Sequence, residues 1–132
     1  MRYERPEKHM TPFLTIIDLQ KETQDVVDYK NIPVSLINDH VVRLSIMTEP
    51  FYWHYHPNSD ETFLVTEGIL CIDLEDRTVE LAPGQLFTIP ANVPHRTRPR
   101  SERSVNLTFE LAAMETIKSD LRPMGPKCLI RH

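Results

Sequence analysis

At 132 residues the chain is the length of a single domain, long enough to bury a core of its own. Its 15 basic residues against 19 acidic ones leave a net charge of −4, so there is no basic face for a nucleic acid to read. No apolar run reaches the roughly 20 residues that a membrane-spanning helix needs, and Met1 to Lys8 is too polar for a secretory signal, which points to a cytoplasmic protein with no membrane partner.

Taken in order, residues 1–12 read as a loose arm. Phe13 to Leu19 has the apolar, β-branched character of a first strand, whereas Gln20 to Tyr29 is charged and too weakly periodic for a helix. Ile32 to Ile37 is a second strand, which Pro33 assigns to a sheet edge, and Asn38-Asp39 turns the chain. Val41 to Thr48 alternates: Val42, Leu44 and Ile46 share one face, and Val41, Arg43, Ser45 and Met47 the other, the pattern of a half-buried strand. Glu49-Pro50 breaks it. Short strands follow around His54, at Thr62 to Val65, Ile69 to Leu74, Thr78 to Leu81, Leu86 to Ile89 and Val93 to Arg98, with a hairpin tip at Glu75-Asp76-Arg77. Ser104 to Leu111 alternates again, with Val105, Leu107, Phe109 and Leu111 against Ser104, Asn106, Thr108 and Glu110. Ala112 to Leu121 is rich in helix formers and predicts one short helix, and the last residues to His132 form a tail. Eleven prolines punctuating short strands argue for an all-β sandwich or barrel.

The chemistry concentrates at Trp53-His54-Tyr55-His56. In a strand, positions i and i+2 share a face, so His54 and His56 aim into one space. Two surface histidines would give the same letters, so the pair alone decides little. Glu61 opens the next strand, and His95 follows a proline-bounded turn, so three histidines and one carboxylate can converge from neighbouring strands into a site for a divalent transition metal. Asp60 competes with Glu61 for that role, but adjacent strand residues face opposite ways, so only one of them can join the histidines. His9, His40 and His132 read as surface residues, and Cys71 and Cys128 as free thiols. Tyr52 and Tyr55 are candidate acid–base groups. Arg43, Arg96, Arg98, Arg100 and Arg103 are either solvated charge or a means of gripping a carboxylate or phosphate.

His54-x-His56, four residues, Glu61, six residues and Gly68 together resemble the first motif of the cupins, and Gly84, five residues, Pro90 and then His95 resemble the second. Thr48, Asn92 and Pro99 stand where the family pattern has glycine, glycine and asparagine; these departures touch turns rather than ligands. The resemblance implies a double-stranded β-helix, the jelly-roll barrel of the cupins, as a single domain over 1–132 with its core at 40–111 and a C-terminal tail at 112–132. It favours Glu61 over Asp60 and implies a metal (Mn, Fe, Ni or Zn) held by His54, His56, Glu61 and His95. The function expected is a metal-dependent enzyme, an oxygenase, isomerase or lyase, acting on a small polar substrate such as a sugar or carboxylic acid; the alternative is a non-catalytic module that binds such a molecule. If the two histidines point inward, Trp53 and Tyr55 point outward, and with Phe51 they form an aromatic row that predicts either cover by the N-terminal arm or a homodimer.

Overall fold

Residues 12–119 are described by the structure, a computed structural model. They form one short helix, α1 (Leu19–Thr23), and the strands β1 (Lys30–Ile37), β2 (His40–Met47), β3 (His54–Tyr55), β4 (Glu61–Glu67), β5 (Leu70–Asp73), β6 (Thr78–Leu81), β7 (Leu86–Ile89), β8 (Arg96–Pro99), β9 (Ser104–Leu111) and β10 (Ile117–Lys118). A five-stranded sheet runs β1-β2-β9-β4-β7, a three-stranded sheet runs β6-β5-β8, and β10 pairs with β3. Phe63, Val65 and Ile89 from the large sheet meet Leu70, Ile72 and Leu81 from the small one in a single interior cluster. This is the jelly-roll barrel with little helix expected from the sequence. No described helix is long and apolar enough to cross a membrane.

The large sheet is apolar on both sides at one end and divided at the other. On β2, Val42, Leu44 and Ile46 face outward into a second apolar cluster with Val34 and Val105, against which Ile17, Leu19, Val26, Leu107 and Phe109 pack. Val41, Arg43, Ser45 and Met47 face inward and line a cavity of about 330 Å³ between the sheets. The strand expected to be half-buried is therefore covered on both faces, because α1 and its flanks lie over the outer one. On β9 the polar positions are the inward ones: Asn106, Thr108 and Glu110 line the cavity and are buried, while Val105, Leu107 and Phe109 belong to the outer cluster.

Three segments differ from expectation. Phe13 to Leu19 forms no strand. Leu14 sits at φ +56°, in the left-handed region that interrupts an extended run, and Asp18 instead caps α1 by accepting from the N–H groups of Gln20 (3.1 Å) and Lys21 (3.2 Å). The charged stretch after Leu19 thus supplies the one described helix, whose C-terminal end is closed by the Arg103 guanidinium donating to the carbonyls of Thr23 (3.0 Å) and Val26 (2.6 Å). Ala112 to Ser119 forms no helix either. Asn58 donates to the Ala113 carbonyl (3.1 Å) and accepts from the Glu115 N–H (2.8 Å), drawing the segment into pairing with β3. Pro33 does sit on an edge strand, next to a bulge in the β1–β2 ladder. Residues 1–11 and 120–132, with His9, Cys128, His132 and most of the expected arm and tail, lie outside the described residues.

The aromatic row dissolves on inspection. Residues 51–53 precede β3, so strand parity does not carry back to Phe51; that ring packs on the interior cluster and lines the cavity. Trp53 is 9% exposed within the single chain, with the Arg96 guanidinium over its ring, and Tyr55 is half-buried beside Ile117 of β10. The row of Phe51, Trp53 and Tyr55 therefore gives no ground for a homodimer.

Candidate metal centre

The backbone brings the four candidate ligands together. His54 and His95 face each other as an antiparallel pair and exchange both backbone hydrogen bonds, at 3.0 and 2.9 Å. His56 follows two residues after His54, and its carbonyl accepts from the Asn92 N–H at 2.9 Å. Asn92 adopts φ +72°, the conformation for which asparagine is a tolerable substitute for glycine. Glu61 begins β4 and points inward with Phe63 and Val65, whereas Asp60 turns away and accepts from the Ala91 N–H at 2.9 Å. The ligand atoms offered by His54, His56, Glu61 and His95 all lie within 4.8 Å of one another, and all four residues are buried.

The hydrogen bonds around the cluster test whether a cation fits it. Each ring has its Nδ1 against a backbone carbonyl: His54 on Tyr52 (2.8 Å), His56 on Glu115 (2.9 Å) and His95 on Val93 (2.9 Å). A carbonyl only accepts, so Nδ1 carries the proton and Nε2 presents a lone pair. The His56 and His95 Nε2 atoms lie 3.1 and 3.4 Å from Glu61 Oε1, yet none of these three buried atoms has a partner with hydrogen-bond geometry. Lone pairs directed toward a carboxylate oxygen in a buried space lack a positive charge between them. A divalent cation supplies it, so the cluster could hold a metal ion.

Without that charge the groups titrate against one another. Burial, reinforced by the neighbouring His95, lowers the His54 pKa to about 4. Burial also disfavours a charged His56, but the Glu61 carboxylate 3.1 Å away favours the imidazolium more strongly and raises its pKa. For Glu61 burial works against ionisation, while the close approach of His56 and His95, in their protonated forms, outweighs it and brings the carboxyl down to about 2.

Reading the sequence missed Glu110. It alternates on β9 with apolar residues and so looks solvent-facing, but the β4–β9 register, which pairs Thr62 with Phe109, continues to set Glu110 opposite Glu61. Glu110 is 2% exposed, its Oε1 has no hydrogen-bond partner, and its Oε2 lies 3.6 Å from Arg43 Nε. Burial, then the charge of Glu61, pushes its pKa up to about 8. The available signal was positional: Glu110 shares strand parity with Asn106 and Thr108 on the strand beside that of Glu61.

The remaining candidates separate. Tyr52 is 44% exposed and stacks on Phe51 at 4.3 Å, and neither it nor Tyr55 lines the cavity. His40 is exposed and pairs with Asp39. Four of the five arginines are held outside the cavity in ion pairs: Arg96 and Arg98 on Asp73, Arg100 on Glu80 and Arg103 on Glu67. Arg43 alone of the five lines the cavity.

The Asn58 clamp fixes Glu115, whose carbonyl orients the His56 ring. Cutting Asn58 to alanine should therefore weaken metal binding by about 10- to 100-fold, the usual cost of losing a ligand's outer support. Competition for Zn²⁺ against a fluorescent chelator reads this directly, and an unchanged affinity would show that the clamp has no part in orienting His56.

Similarity to known proteins agrees with this geometry. A cupin domain family model matches residues 43–109. The uncharacterized protein YdbB of Bacillus subtilis (strain 168) is 42% identical over 96 residues, covering 72% of this chain and 84% of that one. The polyketide synthase CurC of Streptomyces cyaneus is 33% identical over 79 residues; the match takes in 60% of this chain but only 45% of CurC. Among solved structures, a cupin-2 domain protein from Shewanella frigidimarina superposes with a TM-score of 0.67 at 27% identity, over 73% of this chain and 94% of that one. With the matched region running from Arg43 to Phe109, across all four residues of the cluster, the chain belongs to the cupin family.

Proposed function

We propose that this protein is a metal-dependent enzyme of the isomerase or lyase type, a single cupin domain whose His54, His56, Glu61 and His95 hold Mn, Fe, Ni or Zn and whose Glu110 moves a proton on a small polar substrate. The observation that carries this reading is Glu110 itself: a carboxyl group that is not part of the four-residue cluster, buried in the same cavity and set beside it. A purely binding module has no need of such a group, whereas general acid–base catalysis needs one within reach of the reacting atoms. In this division of labour Glu61 serves as an ionised ligand, while Glu110, buried and outside the ligand set, takes and returns the proton. A bound divalent cation would supply Lewis-acid polarisation of a substrate carbonyl or hydroxyl oxygen. Phe51 and Phe63 supply apolar wall to the cavity, and Thr97 and Thr108, on the same wall, would offer hydroxyls to a polar ligand. Polyketides are rich in carbonyls, so the likeness to CurC also supports a carbonyl-bearing substrate.

The test is proton exchange. Metal-loaded protein is incubated in D₂O with a panel of aldoses, ketoses and 2-oxo acids, and deuterium uptake beside the carbonyl is followed by NMR. Exchange should occur with at least one of them, and Glu110→Gln should slow it by about a hundredfold or more while metal content stays the same. Binding without exchange anywhere in the panel would make the protein a binding module instead.

A further inference from the structure

We infer that Arg43 selects the substrate of this cavity, and that the substrate is a small acid carrying a second oxyanion, a carboxylate or phosphate, besides the end that faces the histidine cluster. This deepens the reading above and rests on it. The inference begins with the sorting of the arginines: four are held by three carboxylates outside the cavity, Arg96 and Arg98 sharing Asp73, and Arg43 is the one of the five on its wall. Among the described residues its guanidinium makes one hydrogen bond, from Nη1 to Asn31 Oδ1 at 3.1 Å, and its contact with Glu110 at 3.6 Å is too long to be another. A planar fork with five N–H donors, so sparsely used and only partly exposed, is arranged to take an oxyanion.

The neighbours of Arg43 place that oxyanion. Glu110 lies level with Glu61, and Arg43, which pairs with Thr108, brings its Nε to 3.6 Å from Glu110 Oε2. The second oxyanion would therefore sit beside Glu110, within reach of a short acid whose other end faces the cluster. Asn106, opposite Ser45, is the diagonal neighbour of Arg43, and its Nδ2 is a buried donor with no partner. Orphaned donors are costly unless a ligand satisfies them. A second oxyanion satisfies both residues, and a neutral sugar satisfies them less well.

The test uses three probes that share a 2-hydroxy acid head: lactate, with no second anion; 2-hydroxyglutarate, with a second carboxylate; and 3-phosphoglycerate, with a phosphate. Affinities are measured by calorimetry on Mn²⁺-loaded and metal-free protein, with Mn²⁺ content assayed in the same samples. Wild type should bind at least one of the doubly anionic probes about tenfold or more tightly than lactate, the usual worth of a hydrogen bond to a charged group, and the favoured probe tells carboxylate from phosphate. Arg43→Met should erase that preference, with lactate affinity and Mn²⁺ content measured in the same variant as the reference for each ratio. Arg43→Lys keeps a cation beside Glu110 and so guards against misfolding; it should cut the preference several-fold, and Asn106→Ala should do the same. A preference undiminished in Arg43→Met, or a wild type that binds neither doubly anionic probe more tightly than lactate, overturns the inference. Absence of Mn²⁺ from the wild type would count against the metal-centred reading alone, because the preference among probes is also read without metal.

Discussion

Metal-loaded protein is expected to melt about 10 °C higher than the same protein in chelator at pH 7.5. A ligand that binds only the folded chain, at 100 times its dissociation constant, stabilises it by about 2.7 kcal/mol. For a domain of this size that corresponds to roughly 10 °C. His54→Ala in the presence of metal should melt close to chelated wild type. Acid should narrow the gap, because the histidines must be neutral to bind metal. The metal-free protein has a profile of its own. Glu110, raised to about 8, keeps its proton in the fold after the unfolded chain has lost its own, so its contribution declines as pH rises from 4.5 to 8. His56, also raised, contributes fully below 6.5 and loses that contribution as pH climbs through its folded value. His54, lowered to about 4, has the opposite sign: between 6.5 and 4 the unfolded chain takes the proton first, so stability falls with acid. Glu61, at about 2, contributes above 4.5 and loses that contribution only as pH falls toward 2. Above pH 6.5 nothing opposes Glu110 and His56, so the metal-free melting temperature should fall between pH 6.5 and 8. From 4.5 to 6.5, where His54 and Glu110 pull against each other, it should be nearly flat. Melts in chelator across this range check the profile, and a flat line from 6.5 to 8 would contradict it. A metal-induced gap equal at pH 5.5 and 7.5 would mean that the histidines are not the ligands.

Gly68→Ala should be strongly destabilising, costing about 3 kcal/mol or roughly 10 °C. Gly68 turns β4 into β5 at φ +74°, where a side chain costs about 1–2 kcal/mol from backbone sterics alone. A Cβ there would also collide with the Arg103 carbonyl oxygen and approach Ser101 Oγ at 2.7 Å. Backbone cannot swing aside as a flexible side chain can, so the loop at 101–104 must shift. That loop carries the guanidinium that pairs with Glu67 and closes α1, so the damage should spread to the outer apolar cluster. Gly84 is the control. It sits at φ +88° with nothing within 4 Å of the position of a Cβ, so Gly84→Ala should cost only the backbone share. Equal melting temperatures for the two variants would show that the contact with Arg103 is not what holds this turn.

Much of the barrel was legible because alternation survives in single strands. Ser104 to Leu111 was read as a strand with correct parity, as was Val41 to Thr48. What a strand cannot disclose is which of its faces is inside. Where the interior is a polar cavity and an apolar layer lies outside, the usual expectation inverts, and Glu110 was overlooked for that reason. The helix at Leu19 was missed because five residues are too few to show a period; its one local signal was the cap at Asp18. The helix expected after Leu111 did not form because Asn58, more than fifty residues upstream, binds that segment into other pairings, and local propensity carries no trace of so distant a partner. Strand parity put His54 and His56 on one face and allowed only one of Asp60 and Glu61 beside them, and the resemblance to the cupin motifs completed the set with Glu61 and His95.

The inverted alternation of β9 also bears on how readily this protein can be re-engineered. On β9, positions 106, 108 and 110 meet whatever enters the cavity, and 105, 107 and 109 hold the outer layer together, so strand parity insulates specificity from folding at the level of single codons. A library randomised at 45, 106 and 108 would sample new ligands while Val105, Leu107 and Phe109 keep their packing. Diversity spread evenly along the same strand would spend half its substitutions on the layer that keeps the domain folded.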